Sequence, residues 1–371
     1  MSSPALSVLL PVYNCERFLA AAIESILGQT FGDFEFIIIN DGSHDGTGAI
    51  IDGYAARDGR IRAFHQENRG LVATLNRGIE LAVAPFIARM DADDVALPRR
   101  FEFQLARFEG RPDLAVVGGF VNIVGAEGRL LWGGDYPTGG ETLTRFLTSV
   151  GSPLAHPTVI MRRDIVAQLG GYRSQYKHAE DYDLWLRIHD AGYTIENVSV
   201  PVLDYRHHSE NVSSVYRRQQ ALATIIARLA HRTRAAGLAD PTNDVDVIDD
   251  RTIELIPPHL RSDVEAELFT HKHNMVSLAD LATIEQALRE YAQLPAAVRR
   301  DPYLAHFLMR AARGLWAQRR RGASLGLLVR ALVRHRIVAL QLLHGKLRRA
   351  GAGAVSRAGF GFRRSRPDIP T

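Results

Sequence analysis

The chain has 371 residues, enough for two domains or one large one, and its 46% hydrophobic and 23% charged residues exclude a disordered or fibrous protein. One cysteine, Cys15, excludes an internal disulfide and fits a reducing compartment, and no apolar stretch reaches the roughly 18 residues of a membrane span. The net charge of +4 hides a split, with 15 Lys+Arg against 2 Asp+Glu from residue 301 onward and 30 basic against 39 acidic residues before it.

Met1 to Ser7 has no basic patch ahead of an apolar core, so no signal peptide is expected and a cytoplasmic protein is the default. Leu6 to Val12 is β-rich and ends in a turn-like Tyr13-Asn14. Phe18, Ala22, Ile23, Ile26 and Leu27 recur at helical spacing and predict a helix to about Gly28. Phe34 to Ile39 is an apolar run broken only by Glu35, typical of a strand buried on both faces, and stops at the turn signal Asn40-Asp41-Gly42-Ser43. A helix to about Ala56, a strand over Ile61 to Phe64, and a helix carrying Leu71, Leu75, Ile79 and Ala82 follow, the last ended by Pro85. Phe86 to Met90 predicts another strand, and Pro98 opens a helix carrying Phe101, Leu105 and Phe108.

The alternation predicts an open, mostly parallel sheet with helices on both faces, a Rossmann-like half. From about Ala115 to Tyr205 the pattern loosens to short strands (Ala115 to Val124, Thr158 to Met161), Gly/Pro-rich turns, and one clear helix from Asp181 to about Asp190. Beyond Val215 helices dominate, with an acidic loop near 240–250. The expected organisation is a catalytic domain over 1–215, a helical region over 216–350 and a disordered basic tail over 351–371.

Ligands of such sheets bind outside the carboxyl ends of the strands, where Tyr13, Asp41 and the cluster Met90-Asp91-Ala92-Asp93-Asp94 all fall. In an extended segment Asp91 and Asp93 would point to one side, which suits a hard cation, although a solvated acidic turn explains an isolated D-x-D equally. Glu180-Asp181, at the head of a predicted helix, offers a carboxylate that could take a proton. Asp181 could also simply cap a helix beginning at Tyr182, and Asp41 could cap the helix after its turn.

As a set, Leu6 to Asn14, Ile39-Asn40-Asp41-Gly42-Ser43, Met90 to Asp94 and Glu180-Asp181-Tyr182-Asp183-Leu184-Trp185-Leu186-Arg187 closely resemble the family 2 glycosyltransferases over about residues 5 to 215. The resemblance implies the GT-A fold and transfer of a sugar from a nucleotide diphosphate sugar, a uridine one by preference, to a hydroxyl acceptor. It implies a nucleotide site of Pro11, Val12, Tyr13, Asp41, Arg69, Asp91 and Ala92, with the Tyr13 ring as a stacking surface and Asp41 on the base edge. A divalent cation (Mn2+ or Mg2+) would be held by Asp93, with His208 of the segment Tyr205 to Ser213 reaching the metal or the diphosphate; His207 beside it competes for that register. Asp181 matches the general base, and one base without a second nucleophilic carboxylate favours inversion. His156, Glu180 and Trp185 are candidates for the acceptor and donor surroundings.

The G-x-G-x-x-G of a nicotinamide enzyme and the Gly-rich basic loop of a nucleotidyltransferase are both missing after the first strand. The rival is a catalytically silent nucleotide-sugar-fold module that binds a partner through its basic end. Leu325 to His344 is apolar but broken by Arg330, Arg334 and Arg336 and flanked by Arg319-Arg320-Arg321 and Lys346-Leu347-Arg348-Arg349. Such a segment fits a helix lying on the inner face of an anionic membrane near a lipid-linked acceptor, or a helix packed on the protein with a solvated basic face. Nucleic acid is not expected, because no stacking aromatics interleave the arginines.

Overall fold

The computed structural model describes residues 3–207, 216–256, 258–274, 280–300 and 304–334. The chain opens with β1 (Leu6–Val12), α1 (Glu16–Leu27), β2 (Phe34–Asp41), α2 (Thr47–Ala55), β3 (Ile61–Gln66), α3 (Leu71–Leu81) and β4 (Phe86–Arg89). β1 and β2 are buried along their whole length, as largely apolar runs demand of strands covered on both faces, and the buried Ser7 Oγ donates to Glu35 across them at 2.6 Å. β1 pairs in parallel with β2 and β4, and β2 with β3, so the carboxyl ends of four strands open on one edge. α1 buries Leu19, Ala22, Ile23 and Ile26, its i, i+3, i+4, i+7 face. α3 lies so close to β1 that a Cβ at Gly78 would overlap the Leu9 side chain.

The rest of this unit is β5 (Val95–Ala96), α4 (Arg100–Leu105), β6 (Leu114–Gly125), β7 (Leu130–Gly134), α5 (Gly140–Ser149), β8 (Ile160–Arg162), α6 (Arg163–Gln168), α7 (Glu180–Asp190) and β9 (Thr194–His207). The sheet order is β3-β2-β1-β4-β8-β6-β9-β5, with β7 paired to the side of β6. β8 is antiparallel to both β4 and β6, and the two reversals leave β6 and β9 running in the same sense as β4. The end of β9 thereby returns to the edge where β1, β2 and β4 finish. The predicted strands of the first half are all present. β7, α5, α6 and the 14-residue β9 lie where the sequence pattern loosens. β9 contains Pro201, and its register against β6 slips at that point, opposite Phe120.

The described residues fall into two compact units, one of residues up to 220 with 227–247, the other of 221–226 with those from 248 on. The second is helical: Pro258–Asn274, Leu281–Gln293, Leu304–Ala317 and Arg321–Arg334. Its core gathers Phe269, Ile284, Tyr291, Phe307, Leu308, Leu315 and Leu327. Asp280 caps the helix over Leu281–Gln293 by accepting the Thr283 N–H at 2.8 Å. No helix among the described residues is long and apolar enough to cross a membrane. The basic run at 346–349 and the tail over 351–371 lie outside the described residues.

Candidate functional site

Tyr13 stands at the exit of β1 with 49% of its surface exposed, whereas Pro11 and Val12 are buried within the strand and offer the site backbone rather than side chain. Asn14, at φ 46°, locks the exits of β1 and β2 together: its N–H donates to Ser43 Oγ and its Oδ1 accepts from the His44 N–H, both at 2.9 Å. Asp41 is buried and does not cap α2. Its carboxylate instead accepts the N–H groups of Arg69 and Gly70 at 2.9 Å each, and the Gln66 amide at 2.6 Å. It therefore shapes the loop that enters α3 and leaves the Arg69 side chain exposed at the strand edge.

The acidic cluster is a turn, not the extended segment that i, i+2 spacing implied. Turning brings a third carboxylate in: ligand oxygens of Asp91, Asp93 and Asp94 lie within 4.8 Å of one another, beside the buried Ala92. Arg89 clamps Asp91 with two contacts of 2.6 and 2.7 Å from a guanidinium almost wholly buried. Asp94 is buried; its Oδ1 accepts the Arg206 N–H at 2.8 Å, while Oδ2 has no hydrogen-bond donor. Arg206, near the end of β9, also donates from Nε to the Asp93 carbonyl at 2.8 Å and from Nη1 to the Ala126 carbonyl at 2.7 Å. Burial, reinforced by neighbouring negative charge, pushes the carboxyls of Asp91 and Asp94 above the usual aspartate range. The same field reaches the start of α1: the Cys15 thiol is pushed up to about 12, by burial first and by Asp93 and Asp91 after it.

Asp181 lies in the first turn of α7, one residue past its start, and the N-cap position belongs to Ala179. Burial raises the pKa of both Glu180 and Asp181; Arg89 opposes the rise, and Asp91 adds to it at Asp181. The influence of Asp91 puts the α7 carboxylate within electrostatic reach of the acidic turn. Asp183 anchors the helix from behind through Arg173 and Arg187. The Tyr136 hydroxyl, pushed up to about 12 by burial and then by Asp181, belongs to the same neighbourhood.

Trp185 is fully buried and meets the His156 ring edge-on, at 6.1 Å between centroids. His156 Nε2 is 2.9 Å from the Tyr172 hydroxyl, and burial, with Arg89 nearby, holds its pKa well below the ordinary histidine value. These two residues lie together behind the site. His207 is exposed, its ring 6.4 Å from that of Trp132, and His208 lies outside the described residues. Sequence reasoning gave no role of their own to Arg89, Asp94 and Arg206. Asp94 lies in the acidic cluster and Arg206 in the segment Tyr205 to Ser213, and Arg89 is a basic residue two positions before Asp91.

Residues 7–170 match the family model described as "Glycosyl transferase family 2". The putative glycosyltransferase EpsE of Bacillus subtilis is 37% identical over 221 residues, 56% of this chain and 75% of its own. The O-antigen biosynthesis glycosyltransferase WbnJ of Escherichia coli is 32% identical over 209 residues, 56% of this chain and 81% of its own. The amylovoran biosynthesis glycosyltransferase AmsE of Erwinia amylovora is 30% identical over 210 residues, 56% of this chain and 78% of its own. Among solved structures, S. aureus TarS 1-349 in complex with UDP-GlcNAc superposes with a TM-score of 0.52 at 16% identity, covering 92% of each chain, and shares the fold.

Proposed function

The chain belongs to the family 2 glycosyltransferases, and from that premise we propose that it moves a sugar from a nucleotide diphosphate donor, a uridine one by preference, to a hydroxyl of a carbohydrate or lipid-linked acceptor in surface polysaccharide or glycolipid assembly. The observation that carries the reading is the acidic turn at the strand ends, three carboxylates within 4.8 Å beside a helix-borne carboxylate that feels their charge. The O-antigen and amylovoran relatives support the choice of acceptor class.

The all-oxygen donor set and the buried, undonated Oδ2 of Asp94 fit a hard divalent cation, manganese or magnesium. Asp93 and Asp94 would hold it, and Asp91 is kept in place by Arg89. Such an ion, when bound, supplies positive charge against the departing diphosphate. Asp181 accepts the proton of the attacking hydroxyl, and burial makes it a stronger base than an ordinary aspartate. With a single base and direct attack, the anomeric centre inverts. Tyr13 offers its exposed ring to the base, while Asp41 holds the backbone at Arg69 and Gly70 that borders the same pocket. The burial of Trp185 supports a backing role behind His156 rather than a sugar contact. Work takes place at the cytoplasmic face of the membrane, with the helical C-terminal region as the peripheral attachment.

The test is thermal stability against UDP, GDP, dTDP and CDP, with and without manganese. A shift for UDP alone that requires the metal supports the reading, and UDP-GlcNAc is then the first donor to try. No shift with any nucleotide leaves the fold standing and makes the silent binding module the better account.

A further inference from the structure

The helix Arg321–Arg334 buries Ser324, Leu327 and Ala331 against its own helical unit, with Ser324 Oγ donating to the Ala312 carbonyl at 2.7 Å. Its opposite side is not polar. Leu325, Val329 and Val333 are 59%, 51% and 77% exposed, and at 3.6 residues per turn they form a single stripe. The same projection puts Arg321 on one flank of the stripe and Arg330 on the other, both exposed. The preceding helix, Leu304–Ala317, ends next to it with Trp316, 55% exposed, under the Arg321 guanidinium at 5.5 Å. Exposed Arg313, Arg319 and Arg320 extend the basic border, and neither helix carries an acidic residue. None of these five arginines pairs with a carboxylate among the described residues.

We propose that this face, the Leu325-Val329-Val333 stripe with Trp316 and its arginine border, is a docking surface for an anionic lipid bilayer. The surface asks for a partner that is negative at its boundary and apolar just beneath, and lipid headgroups over acyl chains have that layering. Nucleic acid offers the charge without the apolar layer. A second copy of the chain would bring like-charged arginines against these. An exposed Trp beside the stripe suits the boundary between headgroups and chains. The proposal deepens the peripheral attachment inferred above and rests on that reading only for its purpose. Lipid binding is read without sugar transfer, so the two can fail separately.

The experiment is co-sedimentation of the full chain with vesicles of phosphatidylcholine alone or mixed with phosphatidylglycerol, at low and high salt, for wild type, Leu325→Glu/Val329→Glu/Val333→Glu and Arg321→Glu/Arg330→Glu. The substituted sites are exposed, and circular dichroism melting verifies that each variant is folded. Wild type should bind the anionic vesicles, release in high salt and ignore phosphatidylcholine. Both variants should lose binding by at least about tenfold, while donor hydrolysis stays at the wild-type rate. Wild-type binding by the stripe variant, or no binding by wild type, overturns the proposal. A wild-type dimer that the stripe variant dissolves also overturns it, by assigning the face to self-association.

Discussion

Asp181 meets two opposed demands, since a base must be ionised to accept a proton while its surroundings favour the neutral form. Replacing it with Asn should cut transfer by about 10²–10⁴-fold and leave nucleotide affinity largely unchanged, as read by a transfer assay beside calorimetry. The raised pKa carries a sign. Transfer should fall on the acid side at a pH above the ordinary carboxylate range of about 4, and the acid limb should vanish in the residual activity of the Asn variant. Stability should move the other way. A carboxyl whose folded pKa is raised contributes most below its unfolded pKa and loses that contribution as pH rises through the folded value. The melting difference between Asp181→Asn and wild type should therefore widen in favour of the variant as pH increases from about 4. Asp93→Ala should remove any metal dependence and weaken nucleotide diphosphate binding in the same titration. At this scale the sequence pointed to residue types through motif spacing, but the contact between Asp94 and Arg206 was invisible in it, because a turn and a strand more than a hundred residues later bring them together.

Elements were legible where burial is simple. β1 and β2 are largely apolar because both faces are covered, with the buried Ser7 and Glu35 hydrogen-bonded to each other, and α1 and α3 show one clear buried face. β9 was not legible, because Pro201 interrupts it and the register slips there, so neither alternation nor a continuous apolar run survives. α5 begins at Gly140, after Gly139, and buries only Leu143 and Leu147, too few apolar positions to stand out from the turns around it. Close approach of elements is as hidden as β9. Gly78→Ala in α3 should cost about 1–3 kcal/mol in chemical denaturation, because the new methyl meets the Leu9 side chain of β1. The contact between β9 and the acidic turn has a functional readout. Arg206→Ala should lower manganese affinity about 10–100-fold with little change in melting, since the residue supports the ligands through the Asp93 carbonyl while its own N–H to Asp94 remains.

Across the whole molecule, charge and chemistry are divided. The acidic excess lies in the first 300 residues with the candidate site, and the basic excess lies in the rest. Raising salt should therefore leave transfer to a short soluble acceptor nearly constant while transfer to a lipid-linked acceptor in anionic vesicles falls steeply. Equal salt dependence of the two assays would contradict the division of labour. The charge split was plain in the sequence. The apolar stripe inside it was not, because which side of a helix is left uncovered depends on how its neighbours pack.

The clamp of Arg206 on the acidic turn spans 112 positions of chain, and translation must cross that interval in order. β1 through β4 and the residues of the turn leave the ribosome first, and the residue that grips the turn follows only with the last strand of the sheet. A nascent chain thus has its nucleotide-facing strand ends early and its cation turn braced late. Stalled chains released before and after residue 206 should differ sharply in manganese binding.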